Sequence, residues 1–222
     1  MPSVLITGYG PFANTPVNPA EQVARTLDGS RIGEADVVSK IVNNSFFEAI
    51  DEVTTAIEQT SPVLVVMMGE YGGRSMITVE RIAINYNDST RYGLTDNKGR
   101  SLQGEPTVPG GPAGIYATAP IRAMVQAMRQ AGVPADISDT PGTFGCNHLM
   151  YGVLYYLQDR GLAIPAAWVH LPALPSIAAR DENVGMPSMS VETATKGVSA
   201  AIEAALRNPN DIDTPLASRF QI

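Results

Sequence analysis

Short apolar runs recur along this chain, with helix-patterned segments between them. "SVLIT" (3–7), "DVVSKIV" (36–42), "PVLVVMMG" (62–69), "ADISD" (135–139) and "AAWVH" (166–170) have the length and composition of strands. The run at 62–69 is uninterrupted and closes on glycine, which predicts a central strand covered on both faces. "MITVERIAIN" (76–85) reads as a further strand, with Ile77, Val79, Ile82 and Ile84 placed around Glu80 and Arg81 in its middle.

The intervening segments carry helix signals. In "NPAEQVARTL", Asn18 is placed to cap, Pro19 suits the first helical position, and Glu21 has the capping-box spacing. "SFFEAIDEVTTAIEQ" repeats the device with Ser45 and Glu48, and its Phe47, Ile50, Thr54 and Ile57 share one face. Ile121, Met124, Val125 and Met128 mark a third helix that Gly132 ends. A fourth follows Cys146 with Leu149, Val153 and Tyr156, and a last one carries Ala194, Val198, Ile202 and Ala205. The segment from Tyr86 to Pro112, crowded with Asn, Asp, Gly and Pro, reads as a long irregular excursion of the kind that lines or covers a site.

Strands alternating with helices predict a single α/β domain over residues 1–222. The expected architecture is a three-layer α/β/α sandwich with a mainly parallel central sheet, its sites beyond the carboxyl ends of the strands. The net charge of -7 supplies no basic field for nucleic acid or an anionic membrane. The longest apolar stretch, 63–68, is far short of the roughly 18 residues of a membrane span, and the N-terminus lacks a signal-type pattern. One cysteine makes neither an internal disulfide nor a cysteine-based zinc cluster, so a reducing cytoplasm is expected.

Chemistry concentrates around that cysteine. In "TPGTFGCNHLMYG", Cys146 follows a strand and a Pro-Gly turn and opens a helix. The positive end of the helix and its unpaired N–H groups favour a thiolate, and the same groups suit an oxyanion. The alternative is an inert buried thiol. Of the two histidines, His148 should point away from the thiol, about 200° round the helix, whereas His170 ends a strand beside the carboxyl ends of its neighbours. Glu80 sits in an apolar strand and requires a partner: a histidine, or an ion pair with Arg81, Arg74 or Arg91. "GYGPF" and "GEYGG" lack the spacing of phosphate-binding loops, and two histidines 22 residues apart without an HExxH helix make a poor zinc site.

Taken together, "TGYGPFANTPVNPAE", "GEYGGRSMITVERIAIN", "DNKG", "GGPAGIYATAPI", "GTFGCNHLMYG" and "WVHLP" give the chain a specific likeness. It resembles the pyroglutamyl-peptidase I, or pyrrolidone-carboxylate peptidase, family of cysteine peptidases. The resemblance implies an α/β/α fold, a tendency to form homotetramers and no cofactor, and the histidine and cysteine pattern above leads to no expected metal. It implies Cys146 as nucleophile, His170 as general base and acid, and Glu80 as the residue that orients the histidine. The implied substrates are peptides with an N-terminal pyroglutamyl residue, a small flat lactam. Tyr9, Phe12 and Phe144 match positions of the family's pocket, Asn18 matches a polar contact to the lactam, and Arg91 is a further candidate for the lining. For Asn18 the helix cap remains the competing explanation.

The chain also departs from the family pattern. Tyr9 stands where phenylalanine is common, Glu70 and Tyr71 where a neutral residue and alanine are common, Gly145 where valine is usual, and Pro141 where alanine is usual. A short insertion falls between Asn85 and Asp96. Glu70 and Gly145 therefore join the candidate pocket residues, as positions able to shift specificity. Besides pyroglutamyl hydrolysis, two readings stay open: a related cysteine hydrolase with altered N-terminal specificity, and a silent binding protein on the same scaffold.

Overall fold

The computed structural model describes residues 1–12 and 15–218. Along the chain run β1 (Ser3–Tyr9), α1 (Pro19–Leu27), β2 (Arg31–Ile32), β3 (Ala35–Val42), α2 (Glu48–Thr60), β4 (Leu64–Glu70), β5 (Ile77–Glu80), β6 (Ile82–Ile84) and β7 (Asn87–Asp88). They are followed by β8 (Gln103–Glu105), β9 (Gly114–Tyr116), α3 (Ile121–Gln130), β10 (Ala135–Ser138), α4 (Gly145–Asp159), β11 (Ala166–Leu171), α5 (Pro175–Ala178) and α6 (Val191–Arg207).

Seven strands form one sheet in the order β10-β5-β11-β4-β1-β3-β2. Neighbours are parallel except β11 with β5 and β2 with β3. The alternation of side chains along the strands builds the layers. Val66 and Met68 of β4 pack among Val23 of α1, Met124 of α3 and Ile202 of α6, whereas Val65 and Met67 pack among Val53 of α2 and Leu149 and Val153 of α4. Two apolar cores thus clamp a sheet whose middle strand is the uninterrupted run, giving the expected three-layer α/β/α sandwich. Close approach is required where α1 crosses β1: a Cβ on Gly8 would stand 2.3 Å from the Ala20 carbonyl oxygen.

Two local expectations give way to tertiary contacts. The helix predicted from Ser45 begins at Glu48, after Phe47 at φ +68°. The acceptors a capping box supplies come instead from elsewhere in the fold: the Asp96 carboxylate takes the Phe46 N–H at 2.9 Å and the His148 ring takes the Phe47 N–H at 2.9 Å. Glu48 is drawn outward by Lys98 and Arg100. The inward face of α2 is accordingly Ala49, Val53, Ala56 and Ile57, with Phe47 41% exposed.

The single strand predicted over 76–85 is two. β5 ends at Glu80 inside the main sheet, Arg81 turns out to pair with Asp139 at 2.6 Å, and β6 leaves to pair with β9. The excursion from 86 to 112 is largely irregular as expected, pinned by the short β7–β8 ladder and one 3-10 turn at Thr90–Tyr92.

Candidate active site

Cys146 is the second residue of α4, and the segment before it is tied down on all sides. Asn147 fixes the helix start to β6: its side-chain oxygen accepts from the Ile84 N–H at 2.9 Å, and its amide donates to the carbonyls of Ile84 at 2.8 Å and Tyr86 at 3.1 Å. The Tyr9 hydroxyl donates to the Gly145 carbonyl at 2.9 Å. The sulfur lies over Gly69 of β4, where a Cβ would stand 3.0 Å from Sγ and 2.7 Å from the Trp168 ring. Only glycine leaves the thiol that place. Gly69 is the register partner of His170 on β11, so strand pairing puts the imidazole on the sheet face that the sulfur covers.

His170 and Trp168 share one face of β11, opposite Thr78 and Glu80 of the antiparallel β5. The Glu80 carboxylate and His170 Nδ1 are 2.7 Å apart, and both residues are buried. Arg74 reaches the same carboxylate oxygen at 2.7 Å, contacts Thr78 Oγ1, and lies 3.9 Å above the Tyr71 ring. Tyr71 in turn sets its ring edge against His170 at 5.3 Å between centroids. The histidine and ion-pair explanations of Glu80 are therefore both realised, with Arg74 as the cation. Arg81 and Arg91 lie elsewhere.

Burial works against the charge on Glu80, but the hydrogen bond and charge of His170, the Arg74 guanidinium and Ser138 together hold its carboxyl below the usual range. Burial holds His170 below an ordinary histidine, against the pull of Glu80. An ionised Glu80 requires the proton on Nδ1, which leaves Nε2 with a free lone pair. For Cys146 the outcome reverses the expectation from helix position. Burial pushes the thiol well up, the Glu80 and Glu70 carboxylates add to that, and Arg74 opposes it. Both shifts favour the neutral thiol and the neutral imidazole over a charged pair.

The remaining candidates sort by contact. Phe144 packs against Phe12 at 6.3 Å and edge-on against Phe46 at 5.6 Å, an aromatic wall next to the cysteine. Tyr9 is 3% exposed and packs on Trp168, so it acts as a tie between β1 and α4. Asn18 is fully buried, with its oxygen on the Ala20 N–H at 2.9 Å, capping α1, and one amide N–H on the Gly10 carbonyl at 3.1 Å, holding the first loop; its second amide N–H makes no hydrogen bond among the described residues. Arg91 is exposed over the Tyr92 ring and is not brought to the cysteine. Glu70 ends β4 with Oε2 buried and without a hydrogen-bond partner among the described residues, and burial raises its carboxyl to about 7.

His148 is structural, as its helical position predicts. It accepts the Phe47 N–H, meets Thr107 Oγ1 at 3.1 Å, and is pushed by burial down to about 4. The residues that sequence reasoning leaves out of the site are Asn147 and the Asp96 loop. Asp96 accepts from the N–H groups of Phe46, Lys98 and Arg100, and the Asn97 amide bonds the Pro11 carbonyl at 3.0 Å. The "DNKG" motif therefore clasps the first loop and the β3–α2 turn together, a function its loop-like composition does not announce.

A thiol at a helix start, an imidazole on the adjacent strand and a carboxylate behind it, on an α/β/α sheet, define a protein of the cysteine-peptidase type. The comparisons specify which: over residues 2–208 the chain matches the pyroglutamyl peptidase family, and it belongs to that family. It is 60% identical over 222 residues to a pyrrolidone-carboxylate peptidase of Mycobacterium tuberculosis, covering 100% of both chains, and 54% identical to one of Mycobacterium marinum over the same span. Among solved structures, pyroglutamyl peptidase I of Bacillus amyloliquefaciens superposes with a TM-score of 0.90 at 33% identity, covering 96% of this chain and 100% of that one. Pyrrolidone carboxyl peptidase of Thermococcus litoralis gives a TM-score of 0.90 at 33% identity, covering 97% of this chain and 100% of that one.

Proposed function

We propose that this protein is a cysteine exopeptidase that releases pyroglutamate from peptide N-termini, with Cys146, His170 and Glu80 as its catalytic group. The observation that carries the reading is the Glu80–His170 contact at 2.7 Å, on the sheet face where the Cys146 sulfur rests over Gly69. His170 Nε2 takes the thiol proton as the sulfur attacks the pyroglutamyl carbonyl. Proton transfer and attack occur together, because burial disfavours a free thiolate. The oxyanion meets N–H groups of the first turn of α4, which a helix leaves without internal acceptors.

The imidazolium, stabilised by Glu80, then gives its proton to the departing amine. A thioester between the pyroglutamyl carbonyl and Cys146 remains. Water deprotonated by Nε2 attacks it, the C–S bond breaks, and the proton returns to the sulfur. Arg74 keeps Glu80 ionised throughout. The reading carries with it a reducing cytoplasm, which the single attacking thiol suits, and the homotetramer implied by the resemblance. In a fluorogenic assay the protein cleaves a pyroglutamyl aminomethylcoumarin amide, and Cys146→Ala or His170→Ala lowers kcat by about 10³-fold or more. Turnover undiminished in either variant overturns the assignment.

A further inference from the structure

Tyr71 takes no part in the proposed chemistry, yet it touches two of the groups on which that chemistry depends. Residues 71–74 form a turn closed by the Arg74 N–H on the Tyr71 carbonyl at 3.3 Å. Gly73, the third residue, has φ +92°, a conformation that a turn of this kind reserves for glycine. The first and last residues of the turn are thereby set side by side, and the Arg74 guanidinium lies 3.9 Å above the centroid of the Tyr71 ring. The turn is anchored at its start, because the Tyr71 N–H extends the β4–β11 ladder to the Leu171 carbonyl at 2.9 Å.

The hydrogen bonds of Arg74 run to Glu80 at 2.7 Å, to Thr78 Oγ1, to Ser138 Oγ at 3.3 Å and to the Thr140 carbonyl at 3.5 Å. Such bonds lie in the plane of a guanidinium and leave its faces open. The Tyr71 ring covers one face. The Arg74 side chain is 10% exposed and that of Glu80 is fully buried, whereas Tyr71 is 40% exposed. The ring therefore stands on the solvent side of the ion pair, whose attraction weakens steeply as water enters. His170 is braced by two rings, Trp168 at 5.6 Å and Tyr71 at 5.3 Å between centroids; of these only Tyr71 reaches solvent.

Resting on the proposed reaction, we propose that Tyr71 is a positioning residue for His170: its ring keeps Arg74 on Glu80 and keeps water from the imidazole. The histidine thus retains the orientation in which it takes the thiol proton. The charged groups that act on His170 are Glu80 of β5, which favours its protonated form, and Arg74 of the turn, which opposes it together with burial. Cys146 of α4 lies on the same sheet face. Loss of the ring relieves both opposing influences while Glu80 stays fixed in its strand, so His170 then protonates at higher pH.

Three substitutions in the full-length protein test the role. Tyr71→Phe keeps the ring and is expected to match the wild type. Tyr71→Ala and Tyr71→Leu are expected to lower kcat for a pyroglutamyl aminomethylcoumarin amide about tenfold with little change in KM. In both, the acid limb of kcat/KM moves upward by about 0.5 in pH. Two NMR readouts need no turnover: the Arg74 guanidinium protons of the wild type carry an upfield ring-current displacement that both variants lose, and His170 titrates at higher pH in both. Wild-type kcat in the Ala and Leu variants, a fall in kcat with the acid limb unmoved, a Phe variant as impaired as Ala, or Arg74 protons without the displacement overturns the proposal. A protein that cleaves pyroglutamyl amides but shows neither NMR effect refutes this proposal alone. One that shows both effects and cleaves nothing refutes the proposed reaction alone.

Discussion

At the scale of single residues, the site depends on where charge is allowed. Glu80 and Arg74 form a buried pair that fixes the imidazole, while the thiol beside it is kept neutral by burial and by carboxylates. Glu70 is one of those carboxylates, and its titration is visible from outside. Burial holds it up at about 7, against roughly 4.3 in an unfolded chain, so the native state keeps a proton that the unfolded state has lost. The stability this contributes is complete below about pH 4 and lost as pH rises to about 7. Glu70→Gln keeps the shape and removes the ionisation. It is expected to melt above the wild type at pH 8 but not at pH 4, and to react faster with iodoacetamide at Cys146 above pH 7. A variant indistinguishable from the wild type at pH 8 in both measurements contradicts the assignment.

At the scale of elements, the long excursion earns its place by what it clasps. The Asp96 side chain replaces a local helix cap for the β3–α2 turn and binds three backbone N–H groups. These bonds, with Arg100, outweigh burial and hold its carboxyl below the usual range. The stability Asp96 contributes is present above the unfolded value of about 3.9 and is lost as pH falls through the lower folded value. Asp96→Ala leaves those donors without their acceptor and is expected to cost about 1–3 kcal/mol in urea unfolding. It also raises KM for a pyroglutamyl amide, because the turn carrying Phe46, which packs edge-on against Phe144, loosens. Unchanged stability together with unchanged KM refutes the clasp.

Here the limits of the sequence are physical. Strands that read as continuous apolar runs, and helices with an apolar stripe such as α6 or with a local cap such as Asn18, form as read, because their own residues dictate them. The start of α2 does not, because its acceptors are Asp96 and His148, 50 and 101 residues away. Cys146 and His170 stand out by position, at a helix start and a strand end. Asn147 does not, since its bonds to the backbone of Ile84 and Tyr86 exist only once β6 lies against α4.

At the scale of the whole molecule, β4, β11 and β5 lie side by side in the sheet and the start of α4 rests over them at Gly69. The antiparallel β5 is what permits this. It runs against β11 and so sets Glu80 behind His170, an arrangement that the expectation of a mainly parallel sheet leaves open. The central claim is that catalysis passes through a thioester on Cys146. Rapid acid quench of the protein mixed with excess pyroglutamyl amide, followed by peptide mapping by mass spectrometry, measures it directly. The predicted result is a pyroglutamyl group on Cys146 that appears within the first turnover and is absent from Cys146→Ala. Steady turnover with no adduct on Cys146 under conditions that preserve thioesters, or an adduct on another residue, would contradict the account.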